Sequence, residues 1–242
     1  MREGHRRSAF RVELPTLGLC AVVHGLWLAL TTWHARVPGP LLFVLGGVTL
    51  AWHGSLQHEG THGHPTGRRW LDAALVGAPL ALWLPFARYR ALHLAHHRTR
   101  ELTVPGADPE SFWVTEARWR RLGAAGRAMH RLLATLAGRL LLGPFVTVGA
   151  FFASELRLVV RGHLRGVWAR HALAVAALLA YLVGVAGMDV GTYVTCFVYP
   201  GLALTLLRSY AEHRPAPGPG ARSALVAAGP FFSLLFLNNN LH

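Results

Sequence analysis

Residues 37–57 read VPGPLLFVLGGVTLAWHGSLQ, without one charged side chain, and run straight into His58-Glu59-Gly60-Thr61-His62-Gly63-His64-Pro65. A helix rises about 1.5 Å per residue, so roughly 20 such residues cross a hydrocarbon layer about 30 Å thick. The stretch predicts a membrane helix whose end carries histidines. Residues three or four apart share a helix face, so His58 and His62 can aim at one point. Neutral imidazole is a good ligand for iron, copper, nickel or zinc. A metal site at the membrane edge is the expectation.

Working outward, residues 14–33, 172–188 and 190–207 are also charge-free and long enough to span. A Pro38-Gly39-Pro40 turn joins the first pair of spans, and Gly187-Met188-Asp189 joins the second. Residues 73–87 and 140–154 reach only about 22 Å as helices. They carry Pro79, Pro85 and Gly143-Pro144, and read as shallow or re-entrant. Residues 223–241 have the length of a span, but Pro230 and Asn238-Asn239-Asn240 make them a membrane-edge helix returning to the site. The chain is 242 residues long, 52% hydrophobic and 14% charged, with mean hydropathy +0.34. That is too apolar for an ordinary soluble domain.

All 24 basic residues are arginines, and the net charge is +13. Four arginines precede residue 12, eleven lie between Arg68 and Arg131, and four between Arg157 and Arg170; the two opposite connectors hold only Arg36. The positive-inside rule then puts both termini and every histidine cluster in the cytoplasm, with the chain in the cytoplasmic membrane. Arginines interleaved with membrane-length runs, and no recognisable reader module, argue against nucleic acid as a partner. Cys20 and Cys196 sit inside apolar runs and read as small buried hydrophobes, not a disulfide. The fold expected is an all-α integral membrane protein, one domain over residues 1–242. It has four transmembrane helices in two hairpins, interfacial or re-entrant helices, and a cytoplasmic histidine cluster.

A second group, Arg90-Ala91-Leu92-His93-Leu94-Ala95-His96-His97-Arg98, is followed by Asp108-Pro109-Glu110-Ser111. Late in the chain come Ala211-Glu212-His213-Arg214-Pro215 and Asn238-Asn239-Asn240-Leu241-His242. In these motifs, their order and their spacing the chain resembles the membrane fatty acid desaturase family over nearly its whole length. The first two groups look like that family's first and second histidine boxes, and the late pair like the approach to the third.

The resemblance implies a desaturase that uses dioxygen and electrons to place a double bond in an acyl chain at two non-haem irons. His58, His62, His93, His96, His97 and His242 would be ligands, with His213 an additional one and His64 a possible extra. Glu59, Asp108 and Glu212 would orient ligand imidazoles, although Asp-Pro-Glu-Ser is equally a good helix start. The substrate would be a fatty acid, acyl thioester or acyl lipid in the bilayer. Electrons would come from a separate ferredoxin-like or cytochrome donor. The third box should continue as His-x2-His-His but stops at His242, so a truncated frame or an incomplete iron site is expected, with the fold mostly kept and catalysis impaired or absent. A diiron hydroxylase or carotenoid ketolase would use the same metal frame, and a non-enzymatic membrane metal-binding protein is a third reading.

Other histidines read as structural. His5, His34, His130, His163 and His171 lack partners at ligand spacing. His24, inside a span, is expected in an interhelical hydrogen bond. His53, five residues before His58, lies off its face. The basic side chains Arg88, Arg90, Arg98 and Arg100 suit anionic lipid first, and an acidic electron carrier or acyl headgroup second.

Overall fold

The computed structural model describes residues 12–99, 104–105, 108, 112–212 and 229–238, and among these the ordered elements are all helical, with one isolated bridge between Pro105 and Asp108. The helices are α1 (Leu14–Thr32), α2 (Gly39–His62), α3 (Arg69–Val76), α4 (Phe86–Arg98), α5 (Glu116–Arg121), α6 (Ala124–Leu133), α7 (Leu136–Leu141), α8 (Gly143–Val160), α9 (Arg165–Gly184), α10 (Val190–Glu212) and α11 (Pro230–Phe236). A π-helical turn interrupts α10 at Val194–Val198. Cys20 and Cys196 are both free thiols.

Four of these helices form the two expected hairpins. The start of α1 is tied to the end of α2, where Glu13 N donates to Pro65 O and Glu13 Oε1 accepts from His64 Nδ1. At the far end, Thr31 and Thr32 meet the Tyr181 hydroxyl of α9. Trp27 Nε1 donates to the Tyr193 hydroxyl of α10. Helices α2 and α10 therefore run parallel, and both finish at the histidine end.

Their close approach rests on small residues. A Cβ at Gly201 would fall 2.5 Å from Leu50 Cβ, and one at Gly47 2.7 Å from Pro200 Cβ. Gly46 faces the Cys196 carbonyl and the Phe197 ring in the same way. Without a hydrophobic force between helices in lipid, contact of backbones through such residues is what holds them together. Gly201→Ala is expected to lower stability by about 1–3 kcal/mol, as overpacking does. Gly149→Ala, where a Cβ meets nothing within 4 Å, should leave it nearly unchanged. Thermal unfolding of both variants in detergent checks this.

Among the described residues five helices, not four, have the length and composition of a span, and the fifth is α8. Its charge-free run ends at Ser154, because Glu155 follows. The helix continues because Glu155, only 2% exposed, is neutralised by Arg88: Nε and Nη2 reach its carboxylate at 2.7–3.0 Å. Trp168 Nε1 adds a third donor at 3.2 Å. Gly143 packs on Leu206, and Glu155 meets Trp168. Both contacts lie in the histidine-side halves of α10 and α9, so α8 begins and ends in the same half of the bundle.

The expected shallow segment at 73–87 is a short helix, α3, then non-helical backbone from Gly77 to Pro85, then α4. Leu80 enters the core formed by Trp27, Leu30, Leu178, Leu182 and Tyr193. Bare carbonyls at such depth need donors. The Tyr193 hydroxyl supplies one to Leu80 O at 2.7 Å, and His171 Nε2 one to Leu82 O at 2.8 Å. The segment dips and returns, so α2 and α4 bring their histidines to one side. Of the expected late helix, α11 alone is described; it packs on α2, with Ser55 Oγ donating to Phe236 O and Trp52 Nε1 to Leu234 O.

Candidate metal centre

The last two turns of α2 and the middle of α4 face each other. Gly60 lets the end of α3 lie against this part of α2, since a Cβ there would meet Val76 Cγ2 at 2.5 Å, and the Phe86 ring that starts α4 comes within 3.6 Å of the same point. His58 and His62 descend from α2, His93 and His97 from α4, each pair one helical turn apart. One ligand nitrogen from each of the four falls within 4.8 Å of all the others. His93 Nε2 is the hub, 3.3 Å from His62 Nε2 and 2.9 Å from His97 Nε2. His58 is 1% and His93 4% exposed. Tyr89 stacks on the His93 ring, centroids 5.5 Å apart.

Two carboxylates address the outer nitrogens of this array. Asp108 Oδ1 accepts from His96 Nδ1 at 2.7 Å, both groups buried. Glu59 Oε1 accepts from His58 Nδ1 at 3.1 Å. Each pairing fixes the tautomer that leaves Nε2 with its lone pair. The helix-start alternative for Asp108 is not what the described residues form. The next helix, α5, starts at Glu116 and is capped by Thr115 Oγ1 accepting from Arg118 N.

The donor set suits a divalent transition metal. Ligand nitrogens about 2.1 Å from one ion lie at most about 4.2 Å apart, close to the observed spread. Lone pairs crowded to 2.9 Å repel one another unless a cation or a shared proton sits between them. The remaining sequence expectations divide. His96 stands at the edge, its ring 5.6 Å from that of His97 and 6.1 Å from that of His93, outside the tight group. His64 is not in the tight group either; its Nδ1 is held by Glu13 on the exposed side. Glu212 is buried in the last turn of α10 with Arg208 Nε 3.4 Å away. His213 and His242 lie outside the described residues.

Beside the cluster, a narrow cavity of about 80 Å³ runs between α2, the re-entrant segment, α4, α10 and α11, lined by Leu50, Trp83, Leu84, Tyr89, Leu202 and Phe236 among others. His53, read as off the ligand face, lines it too; it is 1% exposed and its Nε2 has no partner among the described residues. His24 differs from expectation. Its Nδ1 donates within its own helix to Cys20 O, and the ring meets His53 edge-on at 5.5 Å.

The profile of the fatty acid desaturase family matches residues 31–242. The chain belongs to the fatty acid desaturase family. No curated protein matches it closely enough to add a relative. Family members are in general diiron-dependent oxidoreductases, and this chain carries a four-histidine group whose nitrogens could hold a metal ion.

Proposed function

We propose that this member of the family is a membrane-bound desaturase that introduces a double bond into a fatty acyl chain at a pair of irons. The observation that carries the proposal is four imidazole nitrogens within 4.8 Å at the end of an apolar bundle. A histidine-ligated diiron pair supplies the oxidant for an unactivated methylene, using dioxygen and two external electrons. Over the whole reaction –CH2–CH2– loses two hydrogens, and dioxygen with two electrons and two protons becomes two waters.

The chain's own residues bind and orient. His58, His62, His93 and His97 hold one side of the centre. His96, fixed by Asp108, extends it, and His213 and His242 are the further ligands that the reading calls for. Glu59, Asp108 and Glu212 raise the basicity of the imidazoles next to them and hold their rings. The cavity next to Tyr89 receives the acyl chain, and the buried 77–85 segment keeps water from its far end. Helices α2 and α10 end on the cytoplasmic side of the cytoplasmic membrane in this reading, where a separate ferredoxin-like or cytochrome donor meets the arginine-rich face. The residues form one domain.

Expression of the full reading frame in a host without endogenous desaturases tests it. New double bonds in host acyl chains that disappear without oxygen are the expected product. Oxygenated acyl or carotenoid products without a new double bond would move the assignment to a hydroxylase or ketolase. Metal flux into sealed vesicles without oxygen consumption would point to a transporter instead.

A further inference from the structure

Arg139 of α7 is 4% exposed, and among the described residues its hydrogen bond is from Nε to Leu133 O at 3.1 Å. Its guanidinium lies over Phe112, with Cζ 3.6 Å from the ring centroid, and 5.4 Å from the ring of Tyr210. Among the described residues no carboxylate pairs with it, and burial lowers its pKa from the usual arginine value. Arg139 lines an open cleft, and a guanidinium in that position can take an anion in a charge-assisted, two-point contact.

The guanidinium lines a cleft of about 410 Å³ between residues 112–119, α6 and α7. Trp113 and Trp119 form its aromatic wall, and Arg131 stands over Trp119 at 5.7 Å, with His130 on the same ring's other approach at 6.5 Å. Glu116, the one carboxylate among the described lining residues, is turned to Arg120 on the exposed face of α5.

Position identifies the source of the anion. Tyr210 lies just past the apolar run of α10, at the level where hydrocarbon gives way to headgroups, and its hydroxyl donates to Ala134 O beside the cleft. Met129, Leu132, Leu136 and Leu141 on α6 and α7 are large, apolar and exposed. Such a stripe belongs against acyl chains, with tryptophans at the interface. A planar fork of N–H donors fits a phosphate oxyanion in two-point contact. We propose that this cleft is a phospholipid site in which Arg139 receives the headgroup phosphate and Trp113, Trp119 and the α6–α7 stripe receive the glycerol and upper acyl chains.

The test uses purified full-length protein in mild detergent, read by native mass spectrometry after titration with phosphatidylglycerol, diacylglycerol or inorganic phosphate. The expected result is one retained phosphatidylglycerol per chain, and no retention of diacylglycerol. Retention should weaken about tenfold or more in Arg139→Gln, the scale of one charge-assisted hydrogen-bonded pair. Because Arg139→Gln removes a buried side chain, Arg131→Gln on the exposed rim serves as a second variant and should weaken the same retention. Equal retention of diacylglycerol, undiminished retention in both variants, or inorganic phosphate bound as tightly as the lipid would each overturn the proposal.

Discussion

Replacing His93 by alanine is expected to strip iron from the purified protein, with a fall in metal affinity of more than about 100-fold. That exceeds the 10–100-fold typical for losing a residue that only orients a ligand. His93 is the most demanding test because its Nε2 lies 3.3 Å from His62 Nε2 and 2.9 Å from His97 Nε2. Its ring is also clamped on the other side by Tyr89. Asp108→Asn should fall in the smaller range, because the amide still meets His96 Nδ1 but no longer carries the charge that raises its basicity. Elemental analysis after dialysis against a graded chelator reads both. If His93→Ala keeps its full complement of iron, the four imidazoles are not the metal centre, whatever the family does. The ordering matters as much as the size: a variant at Asp108 that loses more iron than one at His93 would place the first ion around His96.

The histidine cluster is legible in the sequence because helical spacing is local. Imidazoles one turn apart on a helix converge whatever surrounds them, so His58/His62 and His93/His97 follow from sequence order alone. Asp108 could be named as a candidate to orient a ligand imidazole, but that its partner is His96, twelve residues earlier, is a property of the folded chain. Less local features left weaker marks. The apolar run before Glu155 gave too short a helix because its neutralising partner, Arg88, stands 67 residues earlier. Prolines correctly marked 73–87 as something other than a crossing. The capping of that segment by Tyr193 and His171 depends on side chains more than 80 residues away. Likewise nothing in the run of arginines distinguished Arg139 from its neighbours. Burial against Phe112 and Tyr210 singles it out, and burial is a property of the packed helices.

Breaking the Arg88–Glu155 pair is expected to have the largest effect on stability. Removal of one partner from a buried ion pair costs about 3–5 kcal/mol, since the charge left behind has lost both its water and its counter-ion. Here Glu155→Ala would strand the Arg88 guanidinium, 15% exposed, between α4, α8 and α9, and would also free the Trp168 indole N–H. The net worth of the intact pair is another matter, because both ions had to be desolvated to form it. The double variant Arg88→Met/Glu155→Leu, which leaves no charge behind, should therefore recover most of the lost unfolding temperature. The exposed Arg120–Glu116 pair provides the contrast: both side chains are 75% exposed, and deleting it should cost no more than about 1 kcal/mol. Arg88 lies five residues before His93 on the same helix, so the brace also fixes where α4 enters the bundle. Iron content measured well below the unfolding midpoint separates the two consequences. Retained iron with a lowered midpoint makes the pair a clamp on the scaffold, whereas loss of iron in the double variant as well would mean that charge at this corner, and not packing, holds α4 against α2.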